Sequence, residues 1–97
     1  MDDKQLKEIE ERCNAATLGP WISCVEGRDH DSGSNFIMTG SRSTRGEDIE
    51  LTGATIADQD FIAHARQDIP QLVEEIRRLK NMLSELSHCP IQTPNDG

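Results

Sequence analysis

The sequence predicts an α+β fold, with helices at both ends and a small antiparallel sheet between them. Apolar residues in the first and last thirds recur every three or four positions, as they do on one face of an α-helix. The middle third instead holds short runs of β-branched and aromatic residues between glycine-containing turns. We therefore expect an N-terminal helix, a three-stranded antiparallel meander, a short helix and a long C-terminal helix. At 97 residues the chain is one domain, predicted over 1–87, and a flexible tail with two prolines over 88–97.

The first helix is expected to begin at Asp2 or Asp3, because an aspartate there can cap the free amides of the first turn. It should continue to about Ala16, since Gly19-Pro20 cannot extend a helix. Its apolar stripe is formed by Leu6, Ile9, Cys13 and Ala16.

Three strands are predicted, at 21–25, 36–39 and 48–52. The first two are rich in residues that favour strands, and the third alternates polar and apolar positions, as a half-buried strand does. Polar loops at 27–34 and 41–46 would join them into a meander with one face covered by helix.

Two further helices are expected after the sheet. Thr55-x-x-Asp58 is a variant of the capping box that opens a helix, and Phe61, Ile62 and Ala65 would then point to the core. Ile69-Pro70 is expected to begin a separate long helix, because proline is tolerated in a first turn.

The long helix carries a heptad seam, which is the strongest pattern in the chain. Its spacings of 3, 4, 3, 4 and 3 place six side chains along one line of a helix. The seam is longer than the stripe of the first helix, so we expect a homo-oligomer, a dimer or higher, held by this interface. The seam residues are Ile69, Leu72, Ile76, Leu79, Leu83 and Leu86.

Charge and cysteine content exclude several classes of partner. The formal net charge of −8 disfavours duplex nucleic acid and anionic membranes, although an acidic surface can occupy a basic groove of another protein. Cys13, Cys24 and Cys89 cannot all pair and form no CxxC motif, which is typical of reduced thiols in a cytoplasmic protein. The charged start of the sequence and the lack of a long apolar run lead us to expect neither a signal peptide nor a helix that crosses a bilayer.

The sequence predicts no enzyme, cofactor or metal site. Asp29-His30-Asp31 has the spacing of part of a calcium loop, but the remaining carboxylates are missing, and a polar turn explains these residues equally well. A nucleophilic Cys24 would need a nearby histidine and an electropositive setting, whereas a mid-strand cysteine is typical of a core.

Candidate ligand-binding residues fall in two groups. Arg28, Arg42 and Arg45 lie in the predicted β-loops, where they would bind an anion or simply pair with neighbouring acids. The second group combines aromatic and cationic side chains suited to stacking, or else a core anchor and a solvated helix face. It comprises Trp21, Phe61, His64 and Arg66.

Two segments resemble a family of small phage and prophage proteins. Residues 12–21, RCNAATLGPW, resemble the family pattern R-x-x-A-A-T-P-G-P-W, with Leu18 in place of proline. Residues 58–72, DQDFIAHARQDIPQL, resemble its pattern D-x-x-F-I-A-x-A-R-x-D-I-P-x-L, and the two segments cover about a quarter of the chain. The layout is also similar to Thoeris anti-defence proteins, which bind cyclic nucleotide-type immune signals without cleaving them.

The resemblance implies a non-enzymatic anti-defence protein in the cytoplasm of a bacterial host. It would sequester a nucleotide-like signal such as a cyclic ADP-ribose isomer, acting as a sponge. The alternative is an acidic inhibitor that binds and blocks a host defence or regulatory protein. A sponge requires arginines that converge on an aromatic floor, whereas an inhibitor requires a contiguous exposed patch.

Overall fold

The computed structural model describes residues 1–41 and 43–88, with side chains to residue 86, and confirms the α+β class. Four elements follow in chain order. They are helix α1 (Asp3–Ala15), strands β1 (Trp21–Cys24) and β2 (Phe36–Thr39), and helix α2 (Ile56–His88). Residues 89–97 of the predicted tail lie outside the described residues.

Helix α1 begins as its sequence predicts. The Asp2 carboxylate accepts a bond from the Gln5 amide at 2.8 Å, and the Gln5 side chain accepts one from the Asp2 amide at 2.9 Å. This reciprocal capping box satisfies two amides that a helix start otherwise leaves free.

Within the described residues the sheet has two strands, so the prediction of a third strand at 48–52 is wrong. β1 and β2 pair antiparallel, with Trp21 opposite Thr39 and Cys24 opposite Phe36. The segment 48–52 contributes a single bridge, in which Ile37 and Ile49 exchange both backbone hydrogen bonds at 2.8 and 2.9 Å. The chain turns away soon afterwards at Gly53, whose φ of 84° suits glycine, and the ladder stops.

The predicted short and long helices are one continuous helix. The Thr55–Asp58 capping box is confirmed, with reciprocal bonds of 3.0 and 3.1 Å. Pro70 lies inside α2 rather than at the start of a new helix. It removes one amide donor from the ladder, but the flanking turns on both sides remain helical.

The face of α2 that meets the sheet is partly polar. Gln59 and Ala63 are buried and Gln67 is half-buried, at spacings of four that place all three on one face. The Gln59 side-chain amide donates to Ser23 Oγ at 2.9 Å and to the carbonyls of Cys24 and Phe36 at 3.3 and 3.2 Å.

Gln67 repeats this anchoring at the start of β1. Its Oε1 accepts from the Trp21 amide at 2.8 Å, and its Nε2 donates to the Trp21 carbonyl at 3.1 Å. The side chain therefore pairs with the strand edge in both directions. The expectation that Phe61 and Ile62 point to the core is wrong, since Phe61 is 75% exposed and Ile62 is 37% exposed, whereas Ala65 is half-buried.

Helix α1 lies antiparallel along the second half of α2. Ion pairs of 2.9 Å join Asp3 to Lys80 and Glu10 to Arg77, and Arg66 Nε donates to the carbonyl of Thr17, just past the end of α1. Among the described elements α1 packs on α2 alone. The buried hydrophobic residues are few, namely Leu6, Val25, Ile37, Ala63 and Val73.

Leu6 is the one fully buried apolar side chain of α1, so Leu6→Ala should destabilise the protein by about 2–5 kcal/mol. Urea unfolding at a fixed protein concentration measures the change. Leu18→Ala, at a position that is 66% exposed, should cost less than about 0.5 kcal/mol. Equal losses in the two variants would contradict the packing described for α1.

Gln59→Met keeps the length of the side chain and removes its amide, which leaves Ser23 and two strand carbonyls without that donor. We expect a loss of about 1–3 kcal/mol in the free energy of unfolding. Gln71→Met, on an exposed turn of the same helix, is the matched control and should be near neutral. A neutral Gln59→Met would show that the sheet is held by other contacts.

Candidate functional site

An apolar groove with a volume of about 540 Å³ lies between α1 and α2 in the described part of the chain. Side chains from both helices form its walls, and the start of β1 closes one end. The lining residues are Met1, Ile9, Arg12, Cys13, Ala16, Trp21, Ile62, Ala65, Arg66, Ile69, Leu72, Val73 and Ile76.

The predicted seam lies along this groove and continues beyond it. At about 100° per residue, Leu72 is about 180° around α2 from Ala63, which faces the sheet. The sheet and α1 therefore cover two sides of α2 and leave the seam side open. Leu72 is 58% exposed, and Ile76 is half-buried beside α1.

The end of the seam has no neighbouring helix in the described part of the chain. Helix α1 starts beside Lys80, so α2 projects past it from residue 81 onwards. We call the apolar residues at this end the C-terminal ridge: Leu79, Leu83 and Leu86, which are 45%, 64% and 59% exposed. Groove and ridge lie along the same side of α2, so their exposed apolar residues form a stripe rather than lying singly on the surface.

The loop arginines Arg28 and Arg45 do not line this groove. Arg28 binds both carboxylate oxygens of Asp60, at 2.9 and 3.0 Å, and also pairs with Asp29 at 3.1 Å. Its guanidinium lowers the pKa of Asp60 to about 2, with a further hydrogen bond from Ser23. Arg45 pairs with Asp48, and Arg42 lies outside the described residues.

Two of the remaining candidates are also apart from the groove. His64 is exposed, and its Nδ1 lies 2.8 Å from the carbonyl of Asp60, on the preceding turn of α2. Phe61 borders a shallow depression beside Leu51 and Gly53.

The structure does bring Trp21 and Arg66 together. Trp21 Nε1 and Arg66 Nε both donate to the carbonyl of Thr17, at 3.1 and 2.9 Å, and both side chains line the groove. Arg12 lines it too and was not predicted. The sequence feature that could have indicated this role is the position of Arg12 one residue before Cys13, which belongs to the apolar stripe. Within the described residues neither Arg12 nor Arg66 forms an ion pair.

The turn after β1 is organised by its own hydrogen bonds. Asp29 accepts from the Val25 amide at 2.7 Å, and His30 Nδ1 accepts from the Ser32 amide at 2.9 Å. Within the described residues no group of three or more His, Cys, Asp or Glu is placed to hold a metal ion. Burial raises the pKa of the Cys24 thiol, assisted by Asp29 and Asp48, and so disfavours the thiolate that a nucleophile requires.

No protein-family model, curated protein or solved structure matches this chain. None of the described helices is both long enough and apolar enough to cross a membrane.

The Arg28–Asp60 pair predicts a specific acid titration. Because the folded pKa of Asp60 is about 2, below its usual 3.8, the pair stabilises the fold above about pH 4 and loses this contribution as the pH falls towards 2. NMR titration of the Asp60 carboxyl carbon should give a midpoint near 2. Arg28→Gln should raise that midpoint towards 3.8, and an unchanged midpoint would refute the assignment.

Proposed function

We propose that this chain is a non-enzymatic binding protein that acts through protein–protein contact. The apolar face of α2 joins it to another chain, and its acidic exterior binds a basic surface of a target. The observation that carries this proposal is the exposure of the seam, from Leu72 at 58% to Leu83 at 64%. A contiguous apolar face of this kind is typical of a protein contact surface.

The chemistry of the groove favours a polypeptide over a nucleotide as its main occupant. Its lining is almost entirely aliphatic or aromatic, whereas a nucleotide site needs several donors that converge on phosphate and base. The loop arginines Arg28 and Arg45 are already bound by carboxylates. They therefore offer little unpaired positive charge to an anionic ligand.

The exterior is acidic because the chain has 18 carboxylate residues against 10 lysines and arginines, and most of the described cations already have a carboxylate partner. Ion pairs engage Lys4, Arg28, Arg45, Arg77, Arg78 and Lys80. Apart from the helix caps Asp2 and Asp58, the exposed carboxylates without an ion pair in the described chain are Glu11, Glu26, Asp31, Glu47, Glu50, Asp68, Glu74 and Glu85. A negative exterior steers association towards positively charged partners.

The resemblance to small phage proteins supplies a context for this binding. We propose that the target is a host defence or regulatory protein in the bacterial cytoplasm, which the chain blocks by occupying a basic site. An inhibitor requires an exposed contiguous patch. The apolar face of α2 fits this requirement better than it fits a closed ligand pocket.

A second candidate is the sponge for a cyclic nucleotide-type signal. Trp21, Arg12 and Arg66 line one groove, and its volume of about 540 Å³ is within the range of ligand pockets. An aromatic ring beside two arginines without ion pairs offers stacking and charge to a nucleotide. In this proposal a ligand of several hundred daltons would remain bound and be released unchanged.

Capture from host lysate, followed by titration calorimetry with the purified partner, tests the first candidate. Leu72→Asp should weaken binding at least about 30-fold, since truncation of an interface hot spot costs about 2 kcal/mol or more. Leu18→Asp, at an equally exposed position outside the groove, should not change the affinity. The affinity should also fall as salt is added, because acidic groups contribute to the contact.

Native mass spectrometry of protein exposed to an extract of immune-activated cells separates the two candidates. A bound mass of several hundred daltons that is lost in Trp21→Ala and Arg66→Ala would support the sponge. A complex with a host protein that forms with the Leu18→Asp variant but not with Leu72→Asp would support the inhibitor. A partner that binds both variants equally would contradict the role given to the apolar face.

A further inference from the structure

We propose that the first occupant of the apolar face is a second copy of the chain, bound antiparallel, with the C-terminal ridge of each copy seated in the groove of the other. This inference rests on the proposed function, in which the apolar face is a surface for protein contact. It adds the identity of the partner chain and its direction.

The seam has the same spacing in both directions. Its intervals of 3, 4, 3, 4 and 3 are symmetric about a point between Ile76 and Leu79. A twofold axis at that point lets every seam residue meet another, which is the self-complementarity that an isologous dimer requires. The pairs are Ile69 with Leu86, Leu72 with Leu83, and Ile76 with Leu79 of the second copy.

The two halves of the face have complementary shapes, and this favours the antiparallel direction. Over Ile62 to Ile76 the face is a groove, because α1 stands beside it. From Leu79 onwards it becomes a ridge, because α1 begins beside Lys80. An antiparallel pair places a ridge in each groove. A parallel pair would set two grooves of about 540 Å³ against each other and leave a void that close-packed interfaces avoid.

The flank occupied by α1 argues against a simple parallel coiled coil. In a parallel coiled coil, residues on one flank of each helix's seam contact residues on the opposite flank of its partner's seam. Val73 and Lys80 lie on one of these flanks. Here Val73 is buried and Lys80 is paired with Asp3 of α1. That flank is therefore already covered within one chain.

The area of the face is close to what a stable dimer needs. From Ile62 to Leu86 the helix is about 36 Å long, and α1 lies beside about 20 Å of it. With a width of about 20 Å where the two helices lie side by side and about 10 Å elsewhere, the face covers roughly 550 Å². Specific interfaces bury about 800 Å² on each partner. The dimer would also double the acidic exterior presented to a target, which raises the avidity of binding.

The test combines light scattering with disulfide trapping, and all variants also carry Cys13→Ala, Cys24→Ser and Cys89→Ser, which remove the native cysteines. By light scattering, this cysteine-free chain and its Leu18→Asp variant should each have twice the single-chain mass of 10.8 kDa. The double variant Leu79→Asp/Leu83→Asp should be monomeric. On oxidation, a mixture of Leu72→Cys and Leu83→Cys chains should form a mixed disulfide. Neither single variant should crosslink to itself, since its two sulfurs would be about 16 Å apart along the helix axis, beyond disulfide reach.

Self-crosslinking of Leu83→Cys would overturn the antiparallel arrangement, because only a parallel pair brings those positions together. A monomeric wild type at about 100 μM would overturn the dimer, since weaker association than this is below that of typical specific complexes. If that monomer still requires Leu72 to bind its purified target, the proposed function stands without the dimer. If Leu72→Asp changes nothing, both proposals fail.

Discussion

Two glutamine side chains of α2 hold the sheet, and the rest of the structure depends on them. Gln59 and Gln67 lie two turns apart with Ala63 between them, and each donates to the strands through its amide. Because this face of α2 binds the sheet with hydrogen bonds and one small side chain, it uses few of the helix's large apolar residues. Those residues are left on the opposite side, where they form the groove and the ridge.

The sequence predicted the elements whose signals are local. The N-cap of α1, the capping box at Thr55 and the strands at 21–24 and 36–39 follow from hydrogen-bonding and β-forming residues over a few positions. Where tertiary contacts decide, the prediction failed. The alternating residues 48–52 form one bridge rather than a strand, because their pairing with β2 ends at Ile49. Pro70 does not divide α2, since the helix is packed against its neighbours before and after this residue. Buried glutamines were missed because apolar periodicity treats them as surface residues.

The candidate site was predicted in part for the same physical reasons. The seam is a long, repeating pattern, and the structure leaves its residues on the surface with α1 to one side. The role of each arginine depends on partners far away in the chain: Arg28 meets Asp60 across 32 positions, and Arg12 reaches the groove through the packing of α1. No local sequence motif predicts contacts between residues that are so far apart in the chain. The apolar face is therefore the surface for which we propose a partner chain.

The most direct test of the proposed contact is hydrogen exchange of the backbone amides, measured on the intact chain over a dilution series that spans the micromolar range. If the apolar face binds a second chain, amides of α2 over 79–86 will exchange more slowly as the concentration rises, because association protects a segment that projects beyond α1. Amides of Trp21–Cys24 and Phe36–Thr39 should show much smaller changes, since their bonds are made within one chain. Exchange over 79–86 that is fast at every concentration would contradict a contact surface on this face.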